Sequence, residues 1–130
     1  MHSPLGLSKA ERIHSRSVVE SLFSGNNSSV AIYPLRIVWS SVESSIPSAS
    51  ILVSVPKKRM HHAVDRNRMK RMVREAYRLN KQSLLAALQD SNTHLDIAFI
   101  CIADNMPTSS QVSKSVIKAL ARISDTISHA

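Results

Sequence analysis

The chain has 130 residues, 43% hydrophobic and 20% charged, which predicts one domain around a single core and excludes a disordered tail or a low-complexity polymer. No apolar run reaches the roughly 18 residues of a membrane span, and Met1 to Ala10 lacks the apolar stretch of a secretory signal, so a soluble cytoplasmic protein is expected. Seventeen Lys and Arg against nine Asp and Glu, a net charge of +8, point to a polyanionic partner, while the single cysteine, Cys101, makes disulfide or thiolate-metal chemistry a poor expectation.

The first predicted element is a short helix. Ser8 can cap it, Glu11 stands three residues on as a capping-box partner, and Ile13, Val18, Val19, Leu22 and Phe23 recur at near-helical spacing before Gly25-Asn26-Asn27 stops it. From Val30 to Val42 the chain reads as a strand, with Leu35, Ile37 and Trp39 alternating with Arg36, Val38 and Ser40, and with Pro34 marking an edge or a break. The serine-rich stretch Ser40 to Ser50, containing Pro47, reads as a loop to a second strand, Ile51 to Val55, and these two strands are expected to pair as a hairpin.

The charge excess lies in the next segment. Between Lys57 and Lys81 there are ten Lys and Arg and two acidic residues, so this segment carries all of the +8 and the rest of the chain sums to zero. A helix is predicted from about Arg66 to Leu88, capped by Asp65. At about 100° per residue, Met69, Met72, Val73, Ala76 and Leu79 fall on one arc and the cations on the opposite one, giving a helix that is core on one side and cationic on the other. Leu95 to Ala103 is the apolar run of a buried central strand, and Gln111 to Ser128 is a last helix with Val112, Val116, Ile117, Leu120, Ile123 and Ile127 as its buried stripe. The element order is that of an α+β sandwich with helices on a small sheet.

Little in the chain could carry catalysis by itself. With two glycines, Gly6 and Gly25, there is no glycine-rich phosphate loop; His61 and His62 read as polar loop residues, and capping accounts for Asp90, Asp96 and Asp104. Cys101 reads as a small core residue. The informative run is Arg66-Asn67-Arg68-Met69-Lys70-Arg71-Met72-Val73-Arg74-Glu75 with Lys57, Lys58 and Arg59 before it. Guanidiniums clustered at a helix start grip phosphates bidentately, and Asn67 among them suits a ribose or a base edge. A helix-turn-helix DNA reader fits less well, because no partner helix precedes the basic helix across a short turn.

Val55-Pro56-Lys57-Lys58-Arg59-Met60-His61-His62-Ala63-Val64-Asp65 followed by Arg66-Asn67-Arg68 and onward to Arg78 closely resembles the signature of the bacterial ribonuclease P protein family. Weaker likeness covers Leu7 to Ile13, Leu22-Phe23, Gly25, Pro34-Leu35-Arg36 and Leu95 to Ile100. The resemblance implies one ribosomal-protein-like domain over residues 1–130, an α-β-β-(β)-α-β-α sandwich whose small, mostly antiparallel sheet contains a left-handed βαβ crossover, where the general rule favours the right hand. It implies an accessory protein. The catalyst in this family is RNA, with Mg²⁺ held mainly by that RNA and by the substrate, and the reaction removes the 5′ leader from precursor tRNA. Lys57, Lys58, Arg59, Arg66, Asn67, Arg68, Lys70, Arg71 and Arg74 would then contact the catalytic RNA, while Arg12, Arg16, Val19, Phe23, Arg36 and Trp39 would line a cleft for the leader; neither a membrane nor DNA is implied as a partner. Val19 departs from the Phe common at its place, and Leu52 from a Gly. Either stacking on leader bases is weaker, with Phe23 alone retained, or Tyr33 and Trp39 supply it, and the sequence leaves open whether Phe23 and Trp39 face the cleft or the core. The alternative reading is a general RNA-binding or ribosome-associated module without a part in cleavage.

Overall fold

Pro34 divides the first predicted strand in two. A computed structural model of the chain describes residues 28–128; the predicted first helix, with Arg12, Arg16, Val19 and Phe23, lies outside the described residues. Strand β1 (Ser28–Ile32) turns at the cis Tyr33–Pro34 peptide into the antiparallel β2 (Leu35–Glu43), with Ile32 opposite Leu35 and Ser28 opposite Trp39. The β2 strand runs four residues into the expected loop, because Ser40, Ser41, Val42 and Glu43 pair with Asp96, Leu95, His94 and Thr93. In the short turn that remains, the Ser44 hydroxyl accepts the Ile46 N–H at 3.1 Å.

The expected hairpin between β2 and the next strand does not form. Strand β3 (Ser48–Ser54) lies at the far edge of a sheet ordered β1-β2-β4-β3, and β4 (Thr93–Cys101) sits between, antiparallel to β2 and parallel to β3. The apolar run from Leu95 to Cys101 is the segment best suited to burial on both sides and takes the centre. The turn after β2 therefore spans two strand spacings, roughly 10 Å. A parallel neighbour requires a long crossover. Helices α1 (Ala63–Asn80) and α2 (Gln82–Ser91) supply it between β3 and β4, and α3 (Ser109–Ser128) closes the chain.

These two crossover helices replace the single one predicted. The backbone at Lys81 stays near helical values (φ −78, ψ −13), while the Asn80 side-chain amide donates to the Ala76 carbonyl at 2.7 Å and competes with the regular ladder at the junction. Helix α1 starts three residues earlier than expected, and its cap is extended His62 rather than Asp65. The backbone N–H groups of Asp65 and Arg66 both donate to the His62 carbonyl at 3.1 Å, so Asp65 lies within the first turn, where its charge still favours the helix dipole. Helix α2 stops at Asn92, in the left-handed region at φ 50, ψ 54, with its N–H directed to the Gln89 carbonyl. Asn92→Gly is therefore expected to leave thermal stability nearly unchanged, whereas Asn92→Ala costs about 1 kcal/mol in denaturant unfolding; equal losses would contradict a conformational role.

The three helices pack on the sheet face that carries Leu35, Ile37, Trp39, Ile51, Val53, Ile97 and Phe99. From α1 this core takes Met69, Val73, Ala76 and Tyr77, the last meeting Phe99 edge to face at 6.3 Å between ring centres. Leu79, expected in the core, is 52% exposed: the arc is centred near Asn80, with Tyr77 inside it and Leu79 beyond its edge. In α3 the stripe is Val112, Ser115, Val116, Ala119, Leu120, Ile123 and Ile127, and Ile117 is 45% exposed instead of buried. Ser115 earns its buried place by donating its hydroxyl to the Ile32 carbonyl at 2.6 Å, tying α3 to β1. Cys101 is a core residue as expected, and burial pushes its thiol pKa up. On the opposite sheet face lie Arg36, Val38 and Ser40 of β2, Ser50, Leu52 and Ser54 of β3, and Asp96, Ala98 and Ile100 of β4, aligned row by row.

Candidate nucleic-acid interface

Burying Met69, Val73, Ala76 and Tyr77 turns the other side of α1 outward. Asn67, Arg68 and Arg71 are exposed there, and Lys70 and Arg74 are half-buried. A tight turn after β3, in which the Pro56 carbonyl accepts the N–H groups of Arg59 (3.0 Å) and Met60 (3.2 Å), holds Lys57 and Lys58 exposed just before the helix. One helix and the turn leading to it thus gather most of the chain's excess charge.

Two expected phosphate contacts have internal work. The Arg66 guanidinium donates from Nη1 to the carbonyls of Met60 (3.0 Å) and His61 (2.8 Å), stapling the loop ahead of α1 onto its first turn. Arg59 pairs with Asp104 at 3.0 Å, tying the same loop to the segment between β4 and α3. We expect Arg66→Ala to destabilise the fold by about 1–3 kcal/mol in chemical unfolding, as two carbonyls lose a charged donor. A stable Arg66→Ala protein with weakened RNA binding would instead place that guanidinium on the RNA. Along α1, Arg78 donates from Nε to Glu75 at 3.0 Å and makes a second bond through Nη2; this hydrogen bonding holds the Glu75 carboxyl below its ordinary range. Among the described residues, Lys57, Lys58, Asn67, Arg68, Lys70 and Arg71 have no hydrogen-bonding or ion-pair partner and present their donors outward.

The leader-facing candidates are not brought together by β2. Arg36 is exposed on the face opposite the helices, whereas Trp39 is 6% exposed and belongs to the core. The correction follows from strand alternation, since Trp39 is in phase with Leu35 and Ile37 and out of phase with Arg36. Tyr33 projects from the β1–β2 turn and is exposed. Neither Asp96 nor Asp104 is a cap: Asp104 holds Arg59, and Asp96 accepts a hydrogen bond from His94 Nε2 at 3.0 Å, while His94 Nδ1 meets the Ser48 hydroxyl at 2.6 Å. That chain of three joins the start of β3 to β4.

Sequence reasoning missed a groove between α1 and the start of α3. It has a volume of about 890 Å³ and is lined by Arg68, Arg71, Met72, Leu79, Ser110 and Ser113 among others. The signal for it was the position of Leu79 off the buried arc. Among the described residues no three His, Cys, Asp or Glu side chains are grouped to hold a metal ion, and no helix is long and apolar enough to cross a membrane. What this arrangement can do chemically is bind a polyanion through charged, forked donors on a rigid helix.

Comparison with known proteins agrees with that geometry. The family model described as Ribonuclease P matches residues 7–124. The ribonuclease P protein component of Porphyromonas gingivalis strain W83 is 42% identical over 130 residues, covering 98% of this chain and 94% of its own. The corresponding protein of Chlorobium phaeobacteroides is 36% identical over 105 residues, 74% of this chain and 71% of its own. In fold, the chain is similar to the RNase P protein of Staphylococcus aureus, with a TM-score of 0.68 at 24% identity over 92% of this chain and 99% of that one. With its signature run on the exposed side of α1 and near full-length likeness to these relatives, the chain belongs to the ribonuclease P protein family.

Proposed function

We propose that this protein is the RNA-binding subunit of ribonuclease P, assisting a catalytic RNA in removing the 5′ leader from precursor tRNA. The observation that carries it is the cationic side of α1, with Lys57 and Lys58 at its foot, on a chain whose family is that of the ribonuclease P proteins. In this reading Arg68, Arg71 and Arg74 grip phosphates of the RNA subunit, Lys70, Lys57 and Lys58 add point charges, and Asn67 bonds a ribose or base edge. Arg66 and Arg59 act one step back by fixing the loop that carries the lysines.

The leader is assigned, by the resemblance, to a cleft bounded by Arg12, Arg16, Val19 and Phe23 and by the sheet face that carries Arg36. Leader and RNA subunit are both polyanions, so bringing them together costs repulsion that cations on this protein offset. In this reading the hydrolysis itself belongs to the RNA, with Mg²⁺ held mainly by that RNA and by the substrate. Combined with a bacterial ribonuclease P RNA, the protein is expected to raise affinity for leader-bearing precursor and leave affinity for mature tRNA nearly unchanged. Equal gains for both ligands would remove the leader contact from this account.

A further inference from the structure

The groove between α1 and α3 is more than a continuation of the cationic face. Four guanidiniums line it, from Arg68, Arg71, Arg74 and Arg78, against one carboxylate, Glu75, which is engaged with Arg78. Its floor is apolar. By helical spacing Met72, Ala76 and Leu79 are on the flank of α1 turned toward α3, and Leu79 is half uncovered although it stands among charges. The far wall is Ser109, Ser110 and Ser113 of α3. Thr108 and Gln111 cap that helix reciprocally, the Thr108 N–H donating to Gln111 Oε1 at 2.9 Å and the Gln111 N–H to Thr108 Oγ1 at 3.1 Å. The capping fixes the serine wall in place.

A regular RNA backbone would use the arginines and gain nothing from Met72 and Leu79. An apolar peptide would use the floor and meet uncompensated positive charge on the rim. A ligand that satisfies both carries a flat, largely apolar ring system one bond or two from a phosphate, and the open groove, at about 890 Å³, has room for one such group. We propose that the groove receives one unpaired nucleotide of the RNA subunit, its base lying on Met72 and Leu79 and edged by the serine hydroxyls, the two phosphates flanking its sugar held by Arg68 and Arg71. The inference rests on the proposed assembly with ribonuclease P RNA and adds base recognition to a face otherwise read as gripping backbone.

The test compares wild type with Leu79→Ala, which removes the floor, Ser110→Trp, which fills the groove from its exposed wall, and Ile117→Ala, an exposed apolar control on α3. Each is titrated against a bacterial ribonuclease P RNA transcript, with base-specific chemical modification read along the RNA and a thermal melt to match folding. Leu79→Ala and Ser110→Trp are expected to weaken binding about tenfold, at the low end of what one ordered base contributes. They should also re-expose the same one or two bases, with the salt dependence unchanged; Ile117→Ala should match wild type. Unchanged affinity and protections in both groove variants would overturn the proposal and leave the assembly standing. Weaker binding with no base re-exposed would overturn it too, by assigning the groove to backbone contact. If wild type itself does not bind the transcript, the assembly and the groove proposal fall together.

Discussion

Replacing Arg68 and Arg71 together by alanine is expected to weaken binding of ribonuclease P RNA about a hundredfold at moderate salt, taking about tenfold for each lost charged hydrogen-bonding group. Both side chains are exposed on the outer side of α1, so their removal empties no core position and the fold should be kept. The salt dependence distinguishes phosphate contacts from other losses: the slope of log affinity against log salt should become shallower by about 1.8, or about 0.9 for each phosphate released. The double Lys replacement should keep most of the slope and lose part of the affinity, because an ammonium retains charge and cannot form the forked pair. An unchanged slope in the alanine variant would remove these residues from the RNA.

Trp39→Ala carries the second large effect, and it acts on stability. Trp39 is buried in the core beside Ile97, its register partner on β4, and deleting a buried aromatic of this size costs about 3–5 kcal/mol. That is a large part of the roughly 5–15 kcal/mol that holds a domain folded. Denaturant unfolding should show the midpoint fall steeply, while Trp39→Phe recovers most of it. RNA and leader affinity, measured where the variant is still folded, should be near wild type. A stable Trp39→Ala protein with a specific loss of leader binding would return this residue to the cleft.

Local pattern made much of the molecule legible. The apolar run from Leu95 to Cys101 reads as the central strand because nothing polar interrupts it except at its start, and α3 reads from its stripe and its turn signals. The signature from Val55 to Arg78 carries chemistry, fold and partner at once, since it places forked cations on one side of a helix whose other side is core. Long-range choices were not legible. Whether β3 pairs with β2 or with β4 depends on which strand the core prefers at its centre, and two strands adjacent in sequence carry no mark of being separated in space.

Finer differences between pattern and structure have a common source in competition between neighbours. Leu79 and Tyr77 differ by two residues, and hydrophobicity alone chooses leucine for the core; the ring of Phe99 makes the better partner for tyrosine. Arg66 reads as a phosphate ligand from its motif, yet two carbonyls lie within its reach once the loop from Met60 folds back. Arg59 reads likewise until Asp104, far along the chain, arrives beside it. For Arg36 and Trp39, alternation separates them onto opposite faces, and only the position of the helices decides which face is the core.

Cleavage of a precursor tRNA by a bacterial ribonuclease P RNA at low Mg²⁺, with and without this protein and with protein alone as control, tests the central claim most directly. Leader removal that needs RNA and protein together is the predicted result, since cations on α1 and its turn replace part of the screening that extra Mg²⁺ otherwise supplies. Tight, salt-dependent binding of the RNA with no stimulation of cleavage would contradict it and make the protein a general RNA-binding module.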